Sequence, residues 1–484
     1  MSETKTCFLR ILTPVHIGCD EVYEPLSFVI DEKKEEIVYF DPIDFLKTLS
    51  PTERDKFVSI CKKGTISSLL ELLKFMYGKE AKGERVKLCS GFLEHYRENL
   101  RNGVKSEKEI QQEMNRFSIA RTSFHPYTNE PYIPGSGLKG SLRTAYLNAV
   151  AKLEKVEDTG KQAIELEKRL LHYTSFEEDP FRLLKVSDFV PVKVSRKIVY
   201  AVNERKNPAS KGRPPSIPQL VEVILPGSIF MGTITIEDKY IYETGIKKPL
   251  NWDSVFKSAE FYKKEWERER DELKGIGIHP EITGVDGKGV LVRLGRHSGA
   301  ECVTIECYRS ISIRGKRGSS ISDKPTTPTT IWLASETRKN WDRKSLQPFG
   351  WACLGIADDK MVREYSSTVK EKWEKFLLTK KMSTVPDSKV DAGEEKKSNE
   401  VAKIDVTEEV WENCTVKFDA GGGGVLRATG PKGERAQLVG KEKGQAVTEG
   451  SLHKKLFERR DAISKIKVTV RKIGNAYEIT KVEP

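Results

Sequence analysis

The sequence predicts an α+β fold followed by a small β-rich domain. Residues 6–18 alternate apolar and polar side chains and then reach a turn, which is typical of a half-buried strand. After Gly135, apolar residues recur at helical spacing as far as Leu153. Residues 382–407 contain no aromatic residue and are rich in Ser, Lys, Glu and Asp, which is typical of a linker between domains.

The same patterns place further elements along the chain. Helical periodicity predicts helices over 43–49, 52–79, 135–155, 161–172 and 251–274. Apolar, β-branched runs predict strands over 26–30, 37–40, 181–188, 193–202, 220–225, 228–236, 290–294 and 303–307.

We predict three parts: a large region at 1–380, a flexible acidic linker at 381–410 and a small basic β module at 411–484. Residues 381–416 contain 5 Lys and Arg against 9 Asp and Glu, whereas residues 417–484 contain 15 against 8. Short runs predict strands in the module at 414–418, 425–429, 434–439, 465–472 and 476–481, with a helix near 452–460.

The composition favours a protein that binds a polyanion. The 484 residues carry a net charge of +12 with a pI of about 9.0, which suggests a nucleic acid or an acidic membrane surface as partner. No apolar run is long enough to span a bilayer, and the N-terminus lacks the apolar core of a secretion signal. We therefore expect a cytoplasmic protein without a membrane partner.

The cysteines and histidines do not predict a metal site or a cofactor. The eight cysteines are scattered without a C-x-x-C pair, and the seven histidines are equally dispersed. Structural zinc sites show paired ligands at short spacing, so we predict reduced cysteines and no metal.

Between Tyr132 and Arg143, in the sequence YIPGSGLKGSLR, a glycine turn precedes a predicted helix that carries two cations near its start. Lys139 and Arg143 lie four residues apart near the helix start, where the free N–H groups and the helix dipole favour anions. No Asp or Glu occurs between Glu130 and Glu154. The pattern predicts a phosphate-type anion site formed by the residues of this turn and first helical turns: Gly135, Ser136, Gly137, Lys139, Gly140 and Arg143.

The glycine turn has three alternative interpretations. The glycines satisfy G-x-G-x-x-G, but three prolines in 125–134 replace the buried strand that a dinucleotide fold needs. A P-loop needs Ser or Thr directly after its lysine, whereas Gly140 follows Lys139. The turn could also be a tight entry into a packed helix.

A second glycine loop spans residues 295–299. Either it is a simple hairpin connection, or its bared N–H groups and neighbouring cations hold a nucleic acid backbone. The predicted contact residues are Arg293, Gly295, Arg296, His297 and Gly299.

For catalysis, the residues offer no nucleophile or acid–base pair at a recognisable spacing. His16 and His125 could act as general acid or base in metal-independent RNA cleavage, although a lone histidine at a strand end is more often structural. We predict no catalytic residue.

Four segments, taken in chain order, resemble the RAMP superfamily of CRISPR-associated proteins. They are TPVHIG at 13–18, the turn at 132–143, the run at 183–188 and LGRHSG at 294–299. The order and spacing are most similar to the fifth subunit of the type III-A Csm effector complex. The resemblance covers about residues 6–380.

The resemblance implies a ferredoxin-like, RRM-like core of antiparallel sheet and helices with insertions. It also implies a non-catalytic subunit that binds the 3′ part of CRISPR RNA, caps the backbone filament beside neighbouring Csm subunits and supports guide maturation and antiviral defence. Target RNA and host trimming nucleases are further partners that it leaves open. The alternative is a metal-independent endonuclease of the same superfamily that processes CRISPR RNA.

Three parts depart from the family pattern. RAMP subunits that cut target RNA carry an aspartate in a glycine-rich loop after the first Ile-Gly, and residues 19–24 do not reproduce it. The 295–299 loop also has fewer glycines than is usual for the family. The tail after residue 414 matches no part of the family, and its charge suggests either a nucleic-acid-binding module or a domain that stabilises the assembly.

Overall fold

The structure is a computed structural model that describes residues 2–101, 106–154, 156, 163–207, 217–237, 245–284, 289–311, 326–383, 408–419, 425–431, 434–439, 447–448, 451–458, 462–473 and 476–483. The chain divides into two compact units, Met1–Val385 and Pro386–Pro484. The division falls within the predicted linker, most of which lies outside the described residues, so its flexibility remains a prediction. No helix among the described residues combines the length and hydropathy needed to cross a membrane.

The first unit consists of two sheets and the helices packed on them. Its strands are β1 Glu3–Ile11, β2 Gly18–Tyr23, β3 Phe28–Asp31, β4 Glu36–Tyr39, β5 Glu84–Leu88, β6 Ile119–Thr122, β7 Leu184–Val186, β8 Val190–Lys193, β9 Arg196–Arg205, β10 Gln219–Ile224, β11 Ile229–Ile236, β12 Gly289–Arg293, β13 Thr330–Ser335, β14 Gln347–Pro348 and β15 Trp351–Ile356. Its helices are α1 Pro42–Thr48, α2 Pro51–Lys62, α3 Ile66–Met76, α4 Ser90–Arg101, α5 Glu107–Arg116, α6 Gly135–Leu153, α7 Ala163–Leu171, α8 Trp252–Ser258, α9 Glu260–Gly275 and α10 Asp359–Ser383.

The first sheet has the ferredoxin-like arrangement. Its order is β12-β15-β1-β11-β7, with β8 also paired to β11, and all these pairings are antiparallel. In chain order, β1, α6, β7, β11, the helices α8 and α9, and β15 form two βαβ-type halves, with β12 added at the edge beside β15. The predicted α+β fold with a ferredoxin-like core is confirmed.

A second sheet accounts for most of the insertions. Its order is β2-β6-β10-β9-β5-β4-β3; β13 joins this sheet by pairing with β9, and β14 pairs with β13. The chain crosses from the first sheet to the second at residues 12–17, where Val15 bridges Ile224 at the end of β10. This crossing places the 13–18 motif between the two sheets.

The predicted strand over 303–307 is wrong. The segment forms two short 3-10 turns, Glu301–Val303 and Glu306–Tyr308. Glu301 is buried and ion-paired to Lys206 and Arg268, so the local chain is fixed by charge contacts instead of a strand ladder. A hydrogen bond from Thr304 Oγ1 to the Ala300 carbonyl, at 2.6 Å, closes the turn.

The predicted strand over 181–188 is shorter than expected. Its first half is the 3-10 turn Pro180–Leu183, and only β7 is extended. Asp179 caps the turn by accepting a hydrogen bond from the Phe181 N–H at 2.9 Å, and Pro180 occupies the first position, where its missing N–H costs nothing.

The second unit is a closed barrel of five strands, β16 Glu408–Asp419, β17 Val425–Thr429, β18 Arg435–Val439, β19 Ile463–Ile473 and β20 Ala476–Glu483. Helical turns α11 Ser451–His453 and Lys454–Glu458 lie between β18 and β19. The strands and the helix predicted from the sequence are confirmed. Alternate residues fill the barrel interior: Cys414, Val416, Leu426, Ala428, Val468 and Val470.

Candidate nucleic-acid interface

Helix α6 begins in a tightly packed position at Gly135. A Cβ on this residue would lie 2.3 Å from the Val186 carbonyl oxygen, so only glycine fits. The Gly135 N–H donates to the Asp188 Oδ1 at 2.8 Å. A carboxylate from the β7–β8 connection therefore already caps the helix dipole, and an added anion would have to bind the side of the helix and its side chains.

Gly137 and Gly140 differ from Gly135 because nothing lies within 4 Å of a Cβ added to either. Both are exposed, as is Ser136 between the first two glycines. A glycine inside a helix costs about 0.5–1 kcal/mol relative to alanine, and packing does not explain these two. They leave the helix backbone accessible to a ligand at its surface.

Lys139 lies beside this bare stretch of helix. Partial burial lowers the pKa of its ammonium, and the nearby Lys185 and Arg143 lower it further, while Asp179 opposes them. The described residues form no ion pair or side-chain hydrogen bond with Lys139. A phosphate placed here would meet a cation that already lies among other cations.

Arg143 is partly buried and bound by two carboxylates. Its guanidinium donates to Glu167 Oε2 at 2.9 Å and to both oxygens of Asp179 at 3.0 and 2.9 Å. Its charge also lies 5.0 Å from the Phe181 ring centroid. The sequence grouped Arg143 with Lys139, but the structure gives it the role of joining α6 to the Pro180–Leu183 turn.

The loop at 295–299 packs against the crossing between the sheets. A Cβ on Gly295 would lie 2.4 Å from the His16 carbonyl oxygen, and Gly295 has a φ of +79°. That carbonyl accepts a hydrogen bond from the Arg296 N–H at 2.8 Å. The glycine is needed for close approach of two backbones within the protein.

Arg296 and His297 differ in their surroundings within this loop. Arg296 is exposed, and its side-chain Cδ would lie 3.8 Å from a Cβ added to Gly18. His297 has a φ of +66° and packs its ring on Trp332 and Phe349. Burial lowers the pKa of His297 to about 4, and His16 and Arg296 add to that effect. The loop thus offers one surface cation, Arg296, and one neutral, packed imidazole.

Arg293, which the sequence predicted as an RNA contact, does not reach the surface. It lies at the end of β12 with 4% of its surface exposed. Its Nη1 donates to both carboxylate oxygens of Glu269, each at 2.9 Å, and its guanidinium stacks 4.3 Å from the Trp351 ring centroid. Glu269 also accepts from the Trp351 indole at 2.9 Å. Arg293 is part of a buried ion pair that fixes α9 on the first sheet.

The two candidate catalytic histidines have different surroundings. His16 is completely buried, and its Nδ1 lies 2.8 Å from the Glu222 carbonyl oxygen. Burial lowers the pKa of His16 as well, so it is neutral at pH 7. His125 is exposed on the turn after β6. A buried imidazole between two sheets has no access to an RNA phosphate.

The topology separates the two predicted RNA-contact regions. β1 and β12 both run antiparallel to β15, so the 13–18 motif and the 295–299 loop lie at the same end of the first sheet, where they touch. Helix α6 starts beside β7, the edge strand opposite β12 in the sheet order. Any RNA that contacts both Lys139 and Arg296 must extend across this sheet.

A basic cavity on the second sheet was not predicted from the sequence. It has a volume of about 860 Å³ and is lined by Arg116, Arg338, Lys339, Trp341 and Arg343, among others. Arg338 donates to His95, whose other nitrogen lies 2.9 Å from the Tyr200 hydroxyl. The basic and aromatic run TRKNWDRK at 337–344 was the signal that could have indicated it.

Comparison with known proteins shows which family the chain is similar to. The model of the RAMP superfamily matches residues 8–295. The CRISPR system Cms protein Csm5 of Methanocaldococcus jannaschii is 27% identical over 262 residues, which are 50% of this chain and 55% of that protein. The chain therefore spans about half the length of this curated relative.

Two solved structures also align with the chain. One is a chain in the cryo-EM structure of a Csm–crRNA–target RNA ternary complex of a type III-A CRISPR-Cas system, with a TM-score of 0.42 and 20% identity; it covers 73% of this chain and 100% of the other. The other is the crystal structure of T.onnurineus Csm5, with a TM-score of 0.42, 18% identity and coverage of 72% and 99%.

Proposed function

Because the chain belongs to the RAMP superfamily, we propose that it is a non-catalytic, cytoplasmic subunit of a type III-A Csm complex that binds the 3′ part of CRISPR RNA. In this proposal it lies at the end of the backbone filament, contacts a neighbouring Csm subunit and supports guide maturation in antiviral defence. The similarity to Csm5 of M. jannaschii supports the choice of this complex.

The observation that carries RNA binding is the bare surface of α6. Gly137 and Gly140 have no internal packing reason, and Ser136 and Lys139 lie beside them. Such a surface allows a sugar–phosphate backbone to approach closely and places one cation against it. Because it offers no base-reading groups, the contact is independent of RNA sequence.

Arg296 extends the proposed RNA path to the other edge of the first sheet. It is exposed, and its positive charge helps to lower the pKa of His16 and of His297. We assign it a phosphate contact. Gly295, Gly299 and His297 then act by shaping the loop, and the internal ion pairs of Arg143 and Arg293 remove those two side chains from the proposed interface.

The endonuclease alternative has less support. It needs an accessible acid or base, and His16 is buried with its Nδ1 against a backbone carbonyl. His125 is accessible on its turn, so it is the histidine to test. Incubation of the purified protein with repeat RNA in the presence of a chelator decides this: a defined cut that disappears in His125→Ala would replace our proposal.

The binding proposal is tested with the double variant K139A/R296A and a synthetic guide RNA. We expect weaker binding and a smaller salt dependence. The slope of log K against log salt concentration should become less steep by about 0.7 for each phosphate of a single strand that the variant no longer neutralises. The matched control is K257A/R270A, which removes a lysine and an arginine from the exposed faces of α8 and α9. Equal affinities for the two double variants would contradict the proposed RNA path.

The place of the subunit in the complex needs a separate measurement. Copurification from cells that carry a CRISPR array, followed by sequencing of the bound RNA, should recover guides, together with the other Csm subunits. Deleting the chain should leave filaments of irregular length and guides with altered 3′ ends. Recovery of bulk ribosomal RNA alone would contradict the assignment to a Csm complex.

A further inference from the structure

The basic cavity on the second sheet is lined by residues from several neighbouring parts of the first unit. Helix α4 supplies His95, strand β9 supplies Tyr200 and Glu204, and the loop after β13 supplies Arg338, Lys339 and Trp341. Its volume of about 860 Å³ lies within the range of about 300–1,000 Å³ that is usual for small-molecule sites. The cavity therefore has room for a ligand of the size of a nucleotide.

Hydrogen bonds within the loop after β13 hold the cavity in shape. At its start, the Thr337 N–H donates to the Ser335 Oγ at 3.2 Å. Further along, Asp342 caps the 3-10 turn Arg343–Ser345 by accepting from the Lys344 N–H at 3.0 Å. The loop thus keeps its side chains in place before any ligand binds, which lowers the entropic cost of binding.

Two buried side chains at the floor of the cavity position Arg338. His95 is 5% exposed and Tyr200 is 1% exposed. Arg338 donates to the His95 Nε2, and because arginine has only donors, His95 accepts at this nitrogen. The proton of the imidazole then lies on Nδ1, which donates to the Tyr200 hydroxyl at 2.9 Å. This chain of hydrogen bonds fixes the guanidinium at the cavity wall.

The cations that line the cavity differ in their partners. Arg343 lies 4.0 Å from Glu204, and Arg116 is paired with a glutamate of its own helix, α5. Arg338 and Lys339 pair with no carboxylate among the residues that the structure describes. An anion in the cavity would therefore meet two cations, one fixed on His95 and one exposed at the rim.

Trp341 offers the cavity an aromatic ring that no other ring covers. Its indole N–H donates to Glu204 at 2.5 Å, and the side chain packs against the core of the second sheet. Within the described part of the chain, no ring and no cation stacks on it. The other tryptophans with described side chains each contact another ring: Trp252, Trp266, Trp332, Trp351 and Trp411.

We propose that this cavity binds a nucleotide, with its base stacked on the ring of Trp341 and its phosphate held by Arg338 and Lys339. Every base has a π face, so stacking on an aromatic side chain accepts any of them. A guanidinium presents parallel N–H groups to a phosphate, and the lysine adds a point charge. The same chemistry is offered by a free nucleotide and by one residue of a single-stranded RNA.

This site goes beyond the proposed function, because neither Lys139 nor Arg296 lines the cavity. On an RNA strand, it would hold one nucleotide by its base, whereas the surface of α6 contacts only the sugar–phosphate backbone. Two such contacts on one strand raise the overall affinity beyond that of either contact alone.

The test uses the fluorescence of 2-aminopurine, which is quenched when this base stacks on an aromatic ring. One probe is its free riboside monophosphate, and the other is a short single-stranded RNA that contains one 2-aminopurine. Both are titrated into the full chain. Saturable quenching by the free probe alone assigns the site to a free nucleotide, and quenching of the RNA probe assigns it to a strand.

The variants separate the base contact from the phosphate contact. W341L removes the ring and should abolish the quenching and weaken binding about tenfold, whereas W341F keeps a ring and should retain most of both. K339A should weaken binding about threefold. The matched control for it is K344A, an exposed lysine of the same loop that does not line the cavity. Urea midpoints show which variants fold, and if W341L does not fold, W341F and K339A decide.

The proposal is overturned if neither probe is quenched, if quenching persists in W341L, or if K339A binds like K344A. Inorganic phosphate that binds as tightly as the free probe would also overturn it, since the base would then contribute nothing. Loss of a protein subunit of the complex in W341L with unchanged quenching would identify a protein-docking surface instead. K139A/R296A should titrate the free probe like the unmodified chain, so failure at the cavity leaves the proposed function standing.

Discussion

Arg143 binds Asp179 through both carboxylate oxygens, at 3.0 and 2.9 Å, and Asp179 in turn caps the Pro180–Leu183 turn. The arginine that follows the glycine motif thus fixes the chain ahead of β7. It does so from the same helix that carries Lys139. Within α6, Arg143 therefore contributes to stability, and Lys139 on the adjacent turn contributes to the chemistry of the surface.

We predict that R143A lowers the free energy of unfolding of the first unit by about 1.5–3 kcal/mol, the usual value for hydrogen bonds to charged groups. Urea denaturation followed by tryptophan fluorescence measures this change. K139A should leave the midpoint unchanged and weaken RNA binding. A destabilised K139A together with a stable R143A would reverse the roles that we assign.

The three glycines of the motif should respond differently to alanine. G135A should destabilise the first unit, because the new Cβ meets the Val186 carbonyl at 2.3 Å. G137A and G140A should each stabilise α6 by about 0.5–1 kcal/mol, and the double variant should bind guide RNA more weakly. Thermal unfolding and RNA titration of the same samples check both effects. Unchanged RNA affinity in G137A/G140A would show that these positions are outside the interface.

We predict a large drop in stability when the buried ion pair of Arg293 and Glu269 is broken by substitution of the arginine. R293M leaves the Glu269 carboxylate without its main partner, at a cost of about 3–5 kcal/mol. E269Q/R293M removes both charges and should recover part of that stability. Denaturation of the two variants provides the measurement, and a stability of R293M equal to that of the unmodified chain would exclude a structural role for Arg293.

From the lowered pKa of His297, we predict that the chain becomes less stable in acid. Its pKa is about 4 in the folded chain and about 6.5 when unfolded, so the unfolded state binds the proton more readily. Its contribution is complete above pH 6.5 and is lost as the pH falls toward 4, by up to about 3 kcal/mol at about 1.4 kcal/mol per pKa unit. Burial lowers the pKa of His16 in the same direction.

The variant for this test is H297N, because asparagine tolerates the φ of +66° and does not titrate. Its stability should fall less than that of the unmodified chain between pH 6.5 and 4. H125N, at an exposed histidine, serves as the control. Parallel pH profiles for the unmodified chain and H297N would contradict the predicted protonation.

The sequence was sufficient to predict the elements whose periodicity is local. The alternation in β1, the helical spacing of α6 and the short strands of the barrel all matched the structure. Asp188 as the cap of α6 could not be predicted, since it is 53 residues away in the chain. The ion-pair partners of Arg143 and Arg293 are likewise set by tertiary packing, which is why the sequence assigned these cations to RNA. The short segment at 303–307 was misassigned because a run of five residues does not distinguish a strand from a turn.

The position of β1 in the first sheet has a consequence for synthesis of the chain. The two partners of β1 are β11 and β15, which are translated long after β1 itself. Until β15 is released, one side of β1 has no neighbour to receive its backbone hydrogen bonds. Contacts this distant in sequence slow folding and expose nascent strands to wrong pairing. A premature stop before residue 351 should therefore yield an aggregation-prone product, so the nascent chain depends on complete translation or on chaperones.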